Sequence, residues 1–123
     1  ISLLRRFAAA GRFTAAICAA PSVLARAGLL EERSATSFPG FLTADSASGI
    51  RLRDDPVVVD GKVVTSRGAG TALEFGFALI ELLAGDDVRR QVAERLQLQR
   101  GRGTGDRGRS EVATLDSRLN HME

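Results

Sequence analysis

The 123-residue sequence predicts an α/β fold, and three local patterns lead to that prediction. A short apolar run that suits a strand is followed closely by a proline that suits the start of a helix. Two valine-rich segments enclose Asp-Gly, which predicts a hairpin, and a strongly apolar helical pattern follows them. Alternating helices and strands are typical of sheets covered by helices, so we expect one domain over residues 1–99.

The first elements are predicted from helical spacing and an apolar run. Leu3, Leu4 and Phe7 lie on one stripe of a helix, and Gly11 suits the left-handed residue that closes many helices. The run FTAAIC, at residues 13–18, is almost entirely apolar. Such a run fits a strand that is covered on both faces, as in a parallel sheet between helices.

The next stretch predicts a helix, a short strand and a loop. Pro21 suits the first helical turn, because its missing N–H would have no partner there, and Gly28 ends this helix. Residues 33–38 predict a short strand that the Pro-Gly pair at 39–40 closes. Residues 41–54 are polar and small, and they predict a loop.

A β-hairpin and two helices complete the predicted domain. Asp60-Gly61 tolerates the positive φ angles of a two-residue turn between valine strands. Thr71 and Glu74 predict a capping box at the start of the next helix. That helix has a broad apolar face, which predicts heavy burial against a sheet; the face comprises Leu73, Phe77, Leu79, Ile80, Leu82, Leu83 and Ala84. Gly85 ends this helix, and Asp86 suits the start of the last one.

Composition and charge exclude several classes of protein. Hydrophobic residues make up 44% and charged residues 26%, as in ordinary soluble domains, and no apolar stretch is long enough to span a membrane. A net charge of +2 gives no reason to expect a nucleic-acid partner. The single cysteine cannot form an internal disulfide, so we expect a cytoplasmic protein. Residues 100–123 begin with the Gly/Arg-rich run RGRGTGDRGRS, and we expect a disordered tail there.

Cys18 is the first candidate for chemistry, and two interpretations of it are open. It stands where a strand is expected to turn sharply into a helix, above the free N–H groups and partial positive charge of the helix start. Both features favour the thiolate, which is the reactive form of cysteine. The small neighbours Ala19 and Ala20 permit a cramped corner. In the alternative, Cys18 is buried and inert, as unpaired cysteines commonly are.

Three segments resemble the carboxy-terminal half of the ThiJ/PfpI family, which includes the parkinsonism-associated deglycase and bacterial relatives. They are AAICAAPSVLARAGLL, ATSFPGF and DDPVVVDGKVVTSRGAGTALEFGFALIELLAG, in that order. The resemblance implies a flavodoxin-like three-layer α/β sandwich without its amino-terminal strands, and it implies a homodimer. The chain does not begin with Met, so we expect a fragment that a complementing amino-terminal half would complete.

The same resemblance implies a cysteine-dependent glyoxalase or deglycase that acts on small α-oxoaldehydes or glycated substrates. Cys18 takes the nucleophile position, and the backbone N–H of Ala19 is the candidate donor of an oxyanion hole. The family's Glu that hydrogen-bonds the cysteine, and its Gly-rich loop, belong to the amino-terminal half and have no match here. Some members carry His before the Pro that follows the next strand, where this chain has Phe38. We therefore expect impaired catalysis.

The remaining polar residues predict no second site. The Glu31-Glu32 pair lies beyond the elbow helix, too far along it to act on Cys18, and His121 falls in the expected tail. Arg67, in the TSRGAGT turn, either binds an anionic substrate or braces the turn through hydrogen bonds to carbonyls. No spacing suits a metal and no nucleotide fingerprint is present, so we expect neither metal nor cofactor.

Two functions other than catalysis stay open at this point. A non-catalytic remnant or interaction module would keep the sheet and helices, and would associate through an open sheet edge. A sensor of oxidative stress would use the Cys18 thiol, oxidised to sulfenic or sulfinic acid without turnover.

Overall fold

The computed structural model describes residues 1–98 and confirms the α/β prediction. The elements over that range are α1 (Ser2–Ala9), β1 (Thr14–Ile17), α2 (Pro21–Arg26), β2 (Ser34–Ala35), β3 (Arg51–Leu52), β4 (Val57–Asp60), β5 (Val63–Ser66), a 3₁₀ turn (Ala69–Thr71), α3 (Ala72–Ala84) and α4 (Asp86–Arg95). The described residues divide into two units, one over Ile1–Phe75 and one that begins at Gly76. The expected tail over residues 100–123 lies outside the described residues.

A three-stranded sheet organises the first unit, with the strand order β1-β5-β4. Strands β1 and β5 run parallel, with Thr14 opposite Val63 and Ile17 opposite Ser66, whereas β4 is antiparallel to β5. A second sheet holds the two-residue strands β2 and β3 in parallel. Strands β1 and β5 end in register, so the residues that follow them, Cys18 and Arg67, lie at the same end of the sheet, where the carboxyl ends of these strands meet.

The core of this unit is built from small and branched apolar residues of strands, helix and loop. Leu24 of α2 and Leu30 just beyond it are almost fully buried. The buried cluster is Ala16, Leu24, Leu30, Ala35, Leu42, Ala47 and Val63. Removing this apolar surface from water is the main favourable term that holds β1 and α2 in place, and with them the corner between them.

The hairpin forms as predicted, but its turn lies one residue later than the sequence suggested. Asp60 pairs with Val63, so the two loop residues are Gly61 and Lys62 rather than Asp60 and Gly61. Gly61 has φ 58°, the left-handed conformation that glycine adopts at no steric cost. A positive φ at only the first of the two loop positions is typical of a type II′ turn, which favours Gly at that position and accepts an ordinary residue at the second.

Asp60 pairs in the ladder because its carboxylate has partners outside the turn. It accepts a hydrogen bond from the Ser34 N–H at 2.7 Å and contacts the Arg33 and Arg51 guanidinium groups at 3.3 and 3.5 Å. Strand β3, which carries Arg51, formed within the segment predicted to be a loop. Its pairing consists of long-range bonds, such as the Arg51 N–H to the Arg33 carbonyl at 2.8 Å, and two residues show no periodicity that could reveal it.

In the second unit, helix α3 is less buried than its apolar face predicted. Within the described residues of that unit only Phe77 and Ala78 of α3 are buried, and Leu83 is 68% exposed. Leu73, at the start of the helix in the first unit, is also exposed. The prediction of heavy burial was therefore wrong for the exposed positions of this face, because helical spacing identifies an apolar face without identifying what covers it.

Helix α4 begins at Asp86 as predicted, after Gly85 in the left-handed conformation with φ 95°. The Asp86 carboxylate accepts hydrogen bonds from the guanidinium groups of Arg89, at 2.6 Å to Nη2, and of Arg90, at 2.6 Å to Nε. These hydrogen bonds, that of Arg89 foremost, lower the pKa of Asp86 below its ordinary value.

Candidate active site

Cys18 directly follows β1 and has an unusual backbone. Its φ is 66°, a left-handed conformation that is rare for residues other than glycine. Its N–H donates to the Ser66 carbonyl at 3.0 Å, and its own carbonyl accepts the Phe38 N–H at 2.8 Å. Such a conformation costs on the order of 1–3 kcal/mol and persists only where the surroundings enforce it. Two segments far away in sequence enforce it here.

The Cys18 side chain is half-buried and lies outside the buried cluster of the core. It forms no disulfide, being the only cysteine of the chain. A thiol that is strained into a corner and partly open to solvent is placed as a nucleophile elbow places its reactive side chain. The reactivity of Cys18 itself stays a prediction.

The corner presents one backbone donor rather than the several that a helix start was expected to supply. The N–H groups of Ser22 and Val23 bond carbonyls three residues earlier, at 3.2 and 2.8 Å, and that of Ala20 does the same at 3.1 Å. Pro21 has no N–H. Among residues 1–98 no acceptor is found for the N–H of Ala19. The tight three-residue bonds at the start of α2 thus consume the other donors and leave that of Ala19.

A hydroxyl pair holds the strand end that fixes Cys18. Ser66 Oγ donates to the Pro56 carbonyl at 2.7 Å and lies 2.6 Å from Thr71 Oγ1, while Thr71 Oγ1 accepts from the Gly68 N–H at 3.1 Å. Thr71 therefore closes the turn before α3 through Gly68, while the predicted capping box between Thr71 and Glu74 stays a prediction. The Ser66 contact was missed because no local pattern links it to Pro56, although both hydroxyls stand within the quoted motif TSRGAGT.

Arg67 emerges beside Cys18 and joins several segments. Its Nη1 lies 3.2 Å from Thr36 Oγ1, 3.4 Å from the Arg53 carbonyl and 3.3 Å from the Asp54 carboxylate. The Asp54 side chain is fully exposed, so that ion pair is screened by water. The contacts with Thr36 and Arg53 connect the end of β5 to the segments that follow β2 and β3.

Phe38 and Phe41 form an aromatic pair at the same corner, which the sequence analysis did not identify. Their ring centroids are 6.1 Å apart at an angle of 68°, an edge-to-face arrangement. Each residue is about half exposed, at 49% and 48%. The Phe38 ring reaches the turn after Ser66, since Cδ2 lies 3.5 Å from the position that a Cβ on Gly68 would occupy.

The part of the chain that the structure describes brings no acid or base to the thiol. No hydrogen bond to the Cys18 sulfur is present within residues 1–98. Glu32 points elsewhere: its carboxylate packs against Gly49 and its N–H donates to the Ser48 carbonyl at 2.8 Å. His121 lies outside the described residues. Over the same range no group of three His, Cys, Asp or Glu side chains is arranged to hold a metal ion.

The sequence of this elbow also matches a known family. A sequence model of the DJ-1/PfpI family matches residues 1–82. The chain belongs to the DJ-1/PfpI family. The predicted resemblance to ThiJ/PfpI proteins is thereby confirmed. The matched residues include the elbow, the hairpin and most of α3.

DJ-1/PfpI relatives match over about half of their own length. The chain is 43% identical over 94 residues to protein dj-1beta of Drosophila melanogaster, covering 76% of this chain and 50% of that protein. A glutathione-independent glyoxalase of Caenorhabditis elegans is 35% identical, with 69% and 45% covered, and a deglycase of Pyrococcus horikoshii is 39% identical, with 54% and 40% covered. The chain thus spans about half the length of the curated relatives it matches.

The crystal structure of Drosophila DJ-1beta is similar in fold, with a TM-score of 0.70 at 41% identity, and the match covers 78% of this chain and 52% of that one. The flavodoxin-like α/β fold expected from the sequence is therefore confirmed. No helix within residues 1–98 has the length and apolar character needed to cross a membrane.

Proposed function

We propose that the chain carries the nucleophilic half of a DJ-1/PfpI-type glyoxalase or deglycase site, with Cys18 as the nucleophile. The observation on which this depends most is the left-handed backbone of Cys18, held by the Ser66 carbonyl and the Phe38 N–H. Strained backbone of this kind clusters at functional sites, and in nucleophile elbows a sharp strand-to-helix turn presents the reactive side chain. Two of the relatives are named a glyoxalase and a deglycase, which supports the same chemistry.

The proposed substrate is a small α-oxoaldehyde, of which methylglyoxal is the simplest probe. The Cys18 thiolate adds to the aldehyde carbon, a C–S bond forms, and the carbonyl oxygen becomes an alkoxide. The N–H of Ala19, the residue after the nucleophile, has no acceptor within residues 1–98 and stabilises that charge as an oxyanion-hole donor. After protonation of the alkoxide, the proton on the former aldehyde carbon moves to the neighbouring carbon and the hydroxyl proton moves to the oxygen of that carbon, which yields the thioester of lactate. Water then cleaves the C–S bond, releasing lactate and the thiol.

The proton transfers in this scheme need a general acid and base from outside residues 1–98. No such group contacts the Cys18 sulfur there, and Phe38 stands where some family members carry His. We propose that a complementing amino-terminal half or a second copy supplies it, and that the chain by itself turns over slowly. General acid–base help contributes roughly 10²–10⁴-fold to such steps, which sets the size of the impairment.

Arg67 acts as a brace in this proposal rather than as a substrate ligand. Its Nη1 is committed to Thr36 and the Arg53 carbonyl, so the guanidinium holds the end of β5 against two other segments. Since the Ser66 carbonyl just before it fixes Cys18, loss of the brace would loosen the elbow indirectly. We place the protein in the cytoplasm, because a lone thiol of this kind suits a reducing compartment.

Lactate formation from methylglyoxal tests the proposal. The chain should release lactate above the buffer rate, and Cys18→Ala should return the rate to that of buffer while circular dichroism stays unchanged. Addition of the separately expressed amino-terminal half of Drosophila DJ-1beta, the 43% identical relative, should raise the Cys18-dependent rate. Equal rates for the wild type and Cys18→Ala under both conditions would refute the assignment of Cys18.

Strand β1 supports a second role, in association. It hydrogen-bonds only β5 among the described strands, so its other side is an open edge, and Ala15 on it is exposed. Open parallel edges accept further strands. We propose that this edge pairs with a complementing half or a second copy, and that sedimentation finds a species heavier than the monomer. A compact monomer that unfolds cooperatively would contradict this role without touching the chemistry of Cys18.

A further inference from the structure

Two backbone hydrogen bonds and one ring contact connect Phe38 of the aromatic pair with the elbow. The Phe38 N–H donates to the Cys18 carbonyl, and the Cys18 N–H donates to the Ser66 carbonyl. The Phe38 ring then reaches Gly68, two residues after Ser66. Cys18 thus hydrogen-bonds Phe38 itself and the strand end whose following turn the Phe38 ring contacts, and this places the ring in the immediate neighbourhood of the corner.

The Phe38 ring has an aromatic partner and is open to solvent. Phe41 meets it edge to face at 6.1 Å between centroids, and the Phe41 N–H donates to the Phe38 carbonyl at 3.1 Å, so ring and backbone are held together. About half of each residue is nevertheless exposed. An exposed aromatic face close to a nucleophile can receive an apolar group of an incoming electrophile.

We propose that Phe38, supported by Phe41, determines specificity at this site and favours α-oxoaldehydes that carry an aromatic substituent, such as phenylglyoxal, over methylglyoxal. The inference rests on the proposed function for its substrate class. The thiolate attacks the same aldehyde carbon in both compounds and the product differs only in its substituent, mandelate in place of lactate. The substituent packs against the Phe38 ring, an edge-to-face or offset contact that favours the aromatic compound roughly 2- to 10-fold in rate.

The preference can be measured at the thiol without turnover. The chain has one cysteine, so maleimide addition reports on Cys18 alone. The rate constants of N-phenylmaleimide and N-methylmaleimide are compared as a ratio in the native chain, and the same ratio in urea removes the intrinsic difference between the reagents. We expect the native ratio to exceed the unfolded one by roughly 2- to 10-fold.

The variants separate the ring from the fold. Phe38→Ala should bring the native ratio back to the unfolded one, and Phe38→Leu, which keeps an apolar side chain and guards against misfolding of the alanine variant, should retain only part of it. Phe7→Ala, at a half-exposed phenylalanine of α1, is the matched control and should leave the ratio unchanged.

The preference is also measured as the ratio of kcat/KM for phenylglyoxal to kcat/KM for methylglyoxal in the same variants. We expect this ratio to fall from the wild type to Phe38→Leu to Phe38→Ala. Equal native and unfolded maleimide ratios, or a native ratio that survives both Phe38 substitutions, would overturn the specificity proposal. Absence of Cys18-dependent turnover with either aldehyde, both without and with the complementing amino-terminal half, together with a raised maleimide ratio, would refute the proposed function and leave the role of Phe38 standing.

Discussion

The left-handed backbone of Cys18 predicts an inverted response to glycine. At an ordinary position, replacement of alanine by glycine destabilises a protein, because glycine has more freedom to lose on folding. At φ 66° the Cβ atom makes an unfavourable contact with the backbone, which costs about 1–2 kcal/mol per residue in the left-handed region. The free energy of unfolding of the Cys18→Gly variant should therefore be equal to or greater than that of the Cys18→Ala variant.

The magnitude follows from two opposing terms. Relief of the Cβ contact contributes about 1–2 kcal/mol, and the added freedom of glycine in the unfolded chain removes about 0.4–1 kcal/mol. The matched control is Ala9→Gly at the exposed last residue of helix α1, which should cost up to about 1 kcal/mol. The effect of glycine over alanine at residue 18 should thus be more favourable than at residue 9 by about 1–2 kcal/mol.

Equilibrium unfolding in urea measures this difference. With slopes of about 1–3 kcal/mol/M for small proteins, it corresponds to a separation of the midpoint shifts on the order of 0.5–1 M. If glycine destabilises the chain at residue 18 as much as at residue 9, the corner is not strained in solution. The reasoning that treats Cys18 as a nucleophile elbow would then fail.

Two further predictions concern the hairpin turn and helix α4. Gly61→Ala should lower the free energy of unfolding by about 1–2 kcal/mol, because φ is 58° and the new Cβ would lie 2.7 Å from Nη1 of Arg33. The control variant Gly70→Ala has open space around the new Cβ and should have little effect. Equal losses of stability for the two variants in urea unfolding would contradict this prediction. Hydrogen bonds from the arginines of α4 lower the pKa of Asp86 in the folded state, so its stabilisation is present above the unfolded pKa and declines as pH falls through the folded one. The stability advantage over Asp86→Asn should therefore shrink in acid, and an advantage independent of pH would count against it.

Local signals predicted most of the elements but not the geometry that makes the corner unusual. The apolar run before Cys18 and the proline at residue 21 were sufficient to predict a strand, a turn and a helix. The positive φ of Cys18 was not predictable from neighbours, because Ser66 and Phe38 impose it from 48 and 20 residues away. The aromatic wall was missed for the same reason, since only the fold brings Phe38 to Gly68.

The errors in the prediction have a common physical origin. The hairpin turn lies one residue later than expected because the Asp60 carboxylate is engaged by the Ser34 N–H, a contact that no turn preference contains. Helix α3 was expected to be heavily buried through its apolar face, yet Leu83 is largely exposed. In both cases the pattern describes what one segment allows, whereas the outcome depends on which other segments meet it.

The central claim, that Cys18 is held as a nucleophile for aldehydes, is tested most directly by trapping the first covalent step. Methylglyoxal labelled with ¹³C at the aldehyde carbon is added to the folded chain, and the carbon spectrum is followed. We predict a hemithioacetal resonance that is absent in Cys18→Ala and that gives way to labelled lactate. A spectrum that stays free of the adduct, while a small reference thiol forms it under the same conditions, would contradict the account.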